Sequence, residues 1–181
     1  MPSGAEDLAW GHGPRSFEIY LEPTCPFSAR AFAKAKPLLD LVGEDRLTLK
    51  IRLNSQPWHT FSSIVSRAIF AAAFGKGGRE DAFLVMQAVF ENRSDFVLEE
   101  HRTGPNMMLC PSDIVSKVES LSGLELAASF AGKEITQDMK LHARIARQNG
   151  IHGTPTFVVD GLIADQLSSD GSVEAWAAYL G

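Results

Sequence analysis

SFEIYLEPTCPFSARAF, residues 16–32, changes its period halfway along. From Ser16 to Leu21 polar and apolar residues alternate, with Phe17, Ile19 and Leu21 on one face, as in a strand that buries one side. Glu22, Pro23 and Thr24 break the pattern. From Pro26 the apolar residues Phe27, Ala31, Ala35 and Leu38 recur at helical steps, with Arg30, Lys34 and Lys36 between them, and Gly43 is placed to end the helix. One of the chain's two cysteines, Cys25, stands where strand gives way to helix.

Outward from this stretch, Arg46 to Leu53 (RLTLKIRL) alternates again and predicts a second strand. Strand, helix and strand in that order imply a parallel pair joined by a crossover helix. From about residue 60 to residue 149 no strand pattern occurs. Helices are predicted over Thr60 to Phe74, Glu80 to Asn92, from Ser112 or Asp113, and over Glu134 to Gln148. After Gly150 the pattern reverts: Pro155 to Asp160 (PTFVVD) reads as a strand, Asp160-Gly161 as a hairpin turn, Leu162 to Ala164 as the return strand, and Ser172 to Leu180 as an amphipathic helix. The order is β-α-β, a helical block, then β-β-α.

Composition narrows the function classes. At 181 residues, 45% of them hydrophobic, the chain suits one domain that folds without disulfide staples. A net charge of −5 with no basic run argues against nucleic acid as a partner. Residues 1–15 (MPSGAEDLAWGHGPR) carry Glu6 and Asp7 where a secretory leader would be positive, and they read as a loose tail ahead of a domain over 16–181. The longest apolar run, Ala68 to Phe74, falls well short of the roughly 20 residues that span a bilayer. A soluble, cytoplasmic protein with no membrane partner is expected. Oligomeric state is not legible.

Cys25 precedes Pro26, which is favoured as a first helical residue because its missing N–H would be unpaired there anyway. A sulfur at that helix end meets unpaired amides and the positive end of the macrodipole, which favour an anion and so make a thiolate nucleophile. An average lone cysteine is a small buried hydrophobe. Cys25 sits instead between strand end and helix start, where α/β folds place ligand sites. Ser28, one turn on, is positioned to donate a hydrogen bond to the sulfur but cannot form a disulfide with it. Turnover must then borrow a second thiol, glutathione being one source. Pro26 and Phe27, next to the sulfur, belong to the expected substrate surface.

Gly153-Thr154-Pro155-Thr156-Phe157 places a proline just before a strand. A cis Thr154–Pro155 bond would turn the Thr154 backbone towards an extended substrate. With TCPFS (24–28) and GTPTFVVDG (153–161) as anchors, the chain from Ser16 to Leu180 resembles the thioredoxin-like fold in its DsbA-type variant, in which helices are inserted between the two halves. The resemblance implies an α/β architecture with a central four-stranded mixed sheet and a helical insert at about 60–149. It also implies Cys25 as nucleophile, Pro155 as the cis-proline and Thr154 as the contact to the substrate main chain. The chain departs at Ser28, where DsbA-type oxidoreductases carry a second cysteine. Monothiol glutaredoxins share a C-x-x-S motif, and kappa-class glutathione transferases put serine at the nucleophile position of a similar architecture.

Other candidates carry less. Trp58 and His59 follow the second strand at the end of the sheet where Cys25 should lie, and either line the groove or pack a loop on the insert. His152, close to Thr154, is the histidine expected nearest the thiol. Cys110-Pro111 echoes Cys25-Pro26 and could supply a distant resolving thiol, but a partly buried residue of the insert is the simpler account. Met107 and Met108 read as core filling. His12, His101 and His142 and the two cysteines have no metal-site spacing, so no metal is expected, and no bound cofactor beyond glutathione as a co-substrate. The function expected is monothiol thiol-disulfide exchange on a thiol or disulfide substrate, either a peptide, a protein or glutathione. A glutathione-dependent transferase or isomerase and a non-catalytic peptide-binding module are the alternatives.

Overall fold

In the computed structural model, which describes residues 8–181, strand β2 (Arg15–Leu21) lies at the centre of a five-stranded sheet. It pairs in parallel with β3 (Leu47–Leu53), Phe17 opposite Leu49 and Leu21 opposite Leu53, and helix α1 (Pro26–Val42) makes the crossover. On its other side β2 runs antiparallel to β4 (Thr156–Val159), which turns at Asp160-Gly161 into the short edge strand β5 (Leu162–Ile163). Helix α7 (Val173–Leu180) closes the chain, its first turn capped by Ser172 Oγ accepting from the Ala175 amide. Between β3 and β4 lie α2 (Ser62–Ala73), α3 (Arg79–Glu91), α4 (Pro111–Ser122), the single turn α5 (Ala127–Phe130) and α6 (Lys133–Gln148), with two 3₁₀ turns over Arg93–Phe96 and Pro105–Met108. This is the expected thioredoxin-like α/β fold with a helical insert.

The sheet has one strand more than expected. Residues Ala9–Gly11 form β1, antiparallel to β3, and both Leu8 and Trp10 are buried in the core. The described part of the segment read as a tail is therefore an edge of the domain; residues 1–7 lie outside the described residues. Glycines disguised it. Gly11 adopts φ +76, and a Cβ on Gly13 would fall 1.9 Å from the Arg46 carbonyl carbon, so both glycines are needed where the chain turns tightly against β3. The sequence signal looked like a linker because three apolar residues are too few to show a period.

Phe17, Ile19, Leu21, Leu49 and Ile51 share one buried cluster with residues of α1, α2, α3, α4, α6 and α7. The opposite face of β2 carries Tyr20, packed on Ala146, Ile151 and Val158, beside an Arg52–Glu18 ion pair at 2.8 Å. Two further expectations change. Helix α4 opens at Pro111 with Cys110 as its cap, rather than at Ser112 or Asp113, because the Asp113 carboxylate reaches back to accept from the Cys110 amide at 2.8 Å. Met107 and Met108 are exposed on a 3₁₀ turn and fill no core. No helix among the described residues is long and apolar enough to cross a membrane.

Candidate active site

The site begins where β2 ends. Leu21 finishes the strand, the Cys25 amide donates to the Glu22 carbonyl at 3.1 Å, and the Cys25 carbonyl accepts the Ala29 amide at 3.0 Å as the first bond of α1. Cys25 is thus the cap of the helix, in extended conformation, with Pro26 as its first residue. Its thiol points at the Thr154 carbonyl oxygen, 3.9 Å away, and the Thr154–Pro155 bond is cis. Only 7% of Cys25 is exposed, yet it forms the floor of a groove of about 790 Å³ and is not sealed in the core.

The structure gathers nearly every expected site residue around that groove. Pro26, Phe27, Trp58, His59, His152 and Thr154 all line it with Cys25. Phe27 and Trp58 are about half exposed, and Arg30 stacks over the Phe27 ring at 4.6 Å. Pro155 holds the turn behind Thr154. The fourth wall comes from the insert, whose residues between Arg93 and Asn106 lie more than 60 positions from Cys25 in sequence. Arg93 donates to the Thr24 carbonyl at 3.3 Å, and Gln56 donates to the His152 carbonyl at 3.2 Å, tying both edges of the groove to its floor. Arg93, His101 and Gln56 were not legible as site residues, since no local pattern marks a side chain whose only relation to the thiol is tertiary.

Ser28 is fully buried, and its Oγ accepts from the Glu22 amide at 3.1 Å, which fastens the turn beneath the cysteine. Of the two histidines expected near the thiol, His59 is the one coupled to the cysteine loop. His152 is exposed and contributes its carbonyl, whereas His59 Nδ1 lies 2.8 Å from Thr24 Oγ1 and 3.3 Å from Glu22 Oε2. Thr24 in turn donates both its amide, at 2.9 Å, and its hydroxyl to the fully buried Glu22 carboxyl.

Burial pushes the Glu22 carboxyl above the usual carboxylate range, against the pull of hydrogen bonds from Ser62, Thr24 and the Cys25 amide. Burial, then the charges of His101 and Arg93, push His59 down to about 4. The imidazole is therefore neutral at pH 7, and its contact with Glu22 is not an ion pair. Because the Thr24 hydroxyl donates to Glu22, His59 Nδ1 carries the hydrogen and donates to Thr24 Oγ1, which leaves Nε2 as the acceptor nitrogen. His101 packs edge-on against this ring at 4.9 Å.

Cys110 is exposed rather than partly buried as expected, because it caps α4 at the surface, with its Sγ 2.9 Å from Ser112 Oγ, and it is not among the residues that line the Cys25 groove. Both cysteines are free thiols. Among the described residues no cluster of histidine, cysteine, aspartate and glutamate has the makings of a metal site.

No protein-family model and no curated protein matches the sequence. Solved structures do. A protein from Pseudomonas syringae, described as a candidate protein-disulfide isomerase, is 49% identical over 98% of this chain and 99% of its own, with a TM-score of 0.96. Pseudomonas aeruginosa DsbA2 is 19% identical over 96% of this chain and 92% of its own, with a TM-score of 0.65. The thiol-disulfide exchange protein α-DsbA2 of Wolbachia pipientis is 12% identical over 97% and 89%, with a TM-score of 0.70. The last two show the fold alone.

Proposed function

This chain belongs to the DsbA-like family of thioredoxin-fold thiol-disulfide oxidoreductases, and we propose that within it the protein is a monothiol exchange catalyst with Cys25 as nucleophile. The observation that carries the reading is the placement of the Cys25 sulfur at the cap of α1, on the floor of an open groove and facing the Thr154 carbonyl. The thiolate attacks one sulfur of a substrate disulfide, the S–S bond breaks, and the departing thiolate carries the electron pair away. Cys25 is left in a mixed disulfide.

With Ser28 in place of a second cysteine, no internal thiol is available one turn away. Two routes release the enzyme with atoms and electrons balanced. A second thiolate of the same substrate attacks and displaces Cys25, which rearranges disulfides with no net redox change; the isomerase description of the Pseudomonas syringae relative fits this route. Alternatively glutathione thiolate displaces the substrate thiol, and a second glutathione then frees Cys25 and leaves as glutathione disulfide. A cytoplasmic glutathione pool would supply that donor. Phe27 and Trp58, both half exposed, offer apolar contact in the groove, and Thr154 lines it where an extended substrate would lie. His59, neutral and with Nδ1 anchored on Thr24, offers Nε2 as a hydrogen-bond acceptor and not as a base at neutral pH.

Incubation with glutathione disulfide tests the reading. Intact mass should show a single stable glutathione adduct, peptide mapping should place it on Cys25, and Cys25→Ser should abolish that adduct. An adduct confined to Cys110, or none at all, sinks the proposal.

A further inference from the structure

A second groove, of about 660 Å³, lies between α2, the α5 turn and α6, away from Cys25. Its rim carries Arg67, Lys140, Arg144 and Arg147, and no aspartate or glutamate lines it, on a chain whose net charge is −5. Arg67 is pinned: its guanidinium donates to the Phe130 and Gly132 carbonyls and to Thr136 Oγ1, and it stacks on the Phe130 ring. Lys140, Arg144 and Arg147 fall on one face of α6, are exposed, and make no hydrogen bond or ion pair with any described side chain. Ile64 and Met139 give the groove an apolar floor.

Ser63 and Arg147 also line a smaller recess of about 270 Å³ together with Asn54 and Ser55, and the next residue along the chain, Gln56, is a wall of the Cys25 groove, so the cationic groove and the thiol are linked by neighbouring residues at the end of β3.

We propose that the cationic groove is a second subsite for the protein substrate, taking an acidic segment of the polypeptide whose disulfide meets Cys25. The inference rests on Cys25 being the nucleophile. Like charges collected on one groove raise the local concentration of an anionic partner and speed its encounter, while the apolar floor holds the stems of its side chains. The occupant follows from charge complementarity: an extended, acidic segment matches a run of cations without a carboxylate among them.

The test uses the whole protein and cysteine peptides carried as mixed disulfides with thionitrobenzoate, one with glutamate tracts on both flanks and one with glutamine tracts. Cys25 thiolate attacks the peptide sulfur, forms the peptide–Cys25 disulfide and releases coloured thionitrobenzoate. At low salt the glutamate peptide should react about ten-fold faster than the glutamine peptide. The double variant K140E/R144E, which changes two exposed side chains, should erase that preference while leaving the rate with glutathione disulfide unchanged. Equal rates for the two peptides in the wild-type protein overturn the subsite.

If neither peptide nor glutathione disulfide reacts, the nucleophile reading has failed instead. The groove is then judged by fluorescence anisotropy of a labelled, thiol-free glutamate peptide. Binding lost in K140E/R144E supports the groove, whereas no binding, or equal binding of the glutamine peptide, overturns it. A concentration-dependent dimer abolished by the same variant would make a second copy the occupant, and would overturn the proposal too.

Discussion

A single serine decides which reaction Cys25 can complete. Ser28 is buried at the place where a resolving thiol would stand, with its oxygen committed to the Glu22 amide. Ser28→Cys should therefore convert the protein to a dithiol: after glutathione disulfide, intact mass should show the loss of two hydrogens in place of a retained adduct. A retained adduct would mean that the two positions are too poorly aligned for a disulfide. Ser28→Ala removes only the acceptor and leaves a buried N–H unpaired, which should cost about 1–3 kcal/mol in urea denaturation. His59 gives a pH signature. Its folded value of about 4 lies below its ordinary 6.5, so between these limits the unfolded chain binds the extra proton. Stability held above pH 6.5 is lost as pH falls towards 4. His59→Asn should lose less stability than the wild-type protein between pH 7 and pH 5, and parallel losses in urea midpoint would refute this origin.

At the scale of elements, the least expected part is β1. Trp10 is 4% exposed, packs edge-on against Phe83 at 5.6 Å, and donates to Glu80 at 3.1 Å, so a three-residue strand ties the sheet edge to α3. Trp10→Ala should destabilise the protein by about 3–5 kcal/mol, the cost of a vacated aromatic site. A change of under about 0.5 kcal/mol, usual for surface substitutions, would restore the view of this segment as a tail. Strands β2 and β3 were legible because each alternates over seven residues, as Phe17, Ile19 and Leu21 do, whereas β4 and β5 were legible through the Asp160-Gly161 turn between them. Four of the insert's five helices were legible; the single turn α5 was too short to show a period, and the start of α4 was displaced. Both cysteines of the chain cap a helix ahead of a proline, and the polar Ser112 and Asp113 drew attention away from Cys110.

For the whole molecule, the insert and the sheet are not separable units. One continuous cluster joins Phe17 and Ile51 of the sheet, Leu38 of α1 and Trp176 of α7 to Val65, Val85, Ile114 and Ile135 of the insert. Urea unfolding followed by tryptophan fluorescence and by far-ultraviolet circular dichroism should give coincident transitions, because Trp10 and Trp176 report from opposite flanks of one core. Separate midpoints for the two probes would show that the insert unfolds by itself.

The sequence by itself determined the β-α-β, helical block, β-β-α order apart from β1 and α5, the break at Glu22-Pro23-Thr24 that puts Cys25 at a helix start, and the proline next to Thr154. All of these are local, written in period and in turn residues within a few positions. Tertiary structure decided that Arg93, His101 and Gln56 stand around the thiol, that His59 rather than His152 is coupled to the cysteine loop through Thr24, and that Ser28 faces the Glu22 amide. These contacts join segments tens of residues apart, or depend on which way one buried hydroxyl turns, and neither leaves a trace in the spacing of residues along the chain.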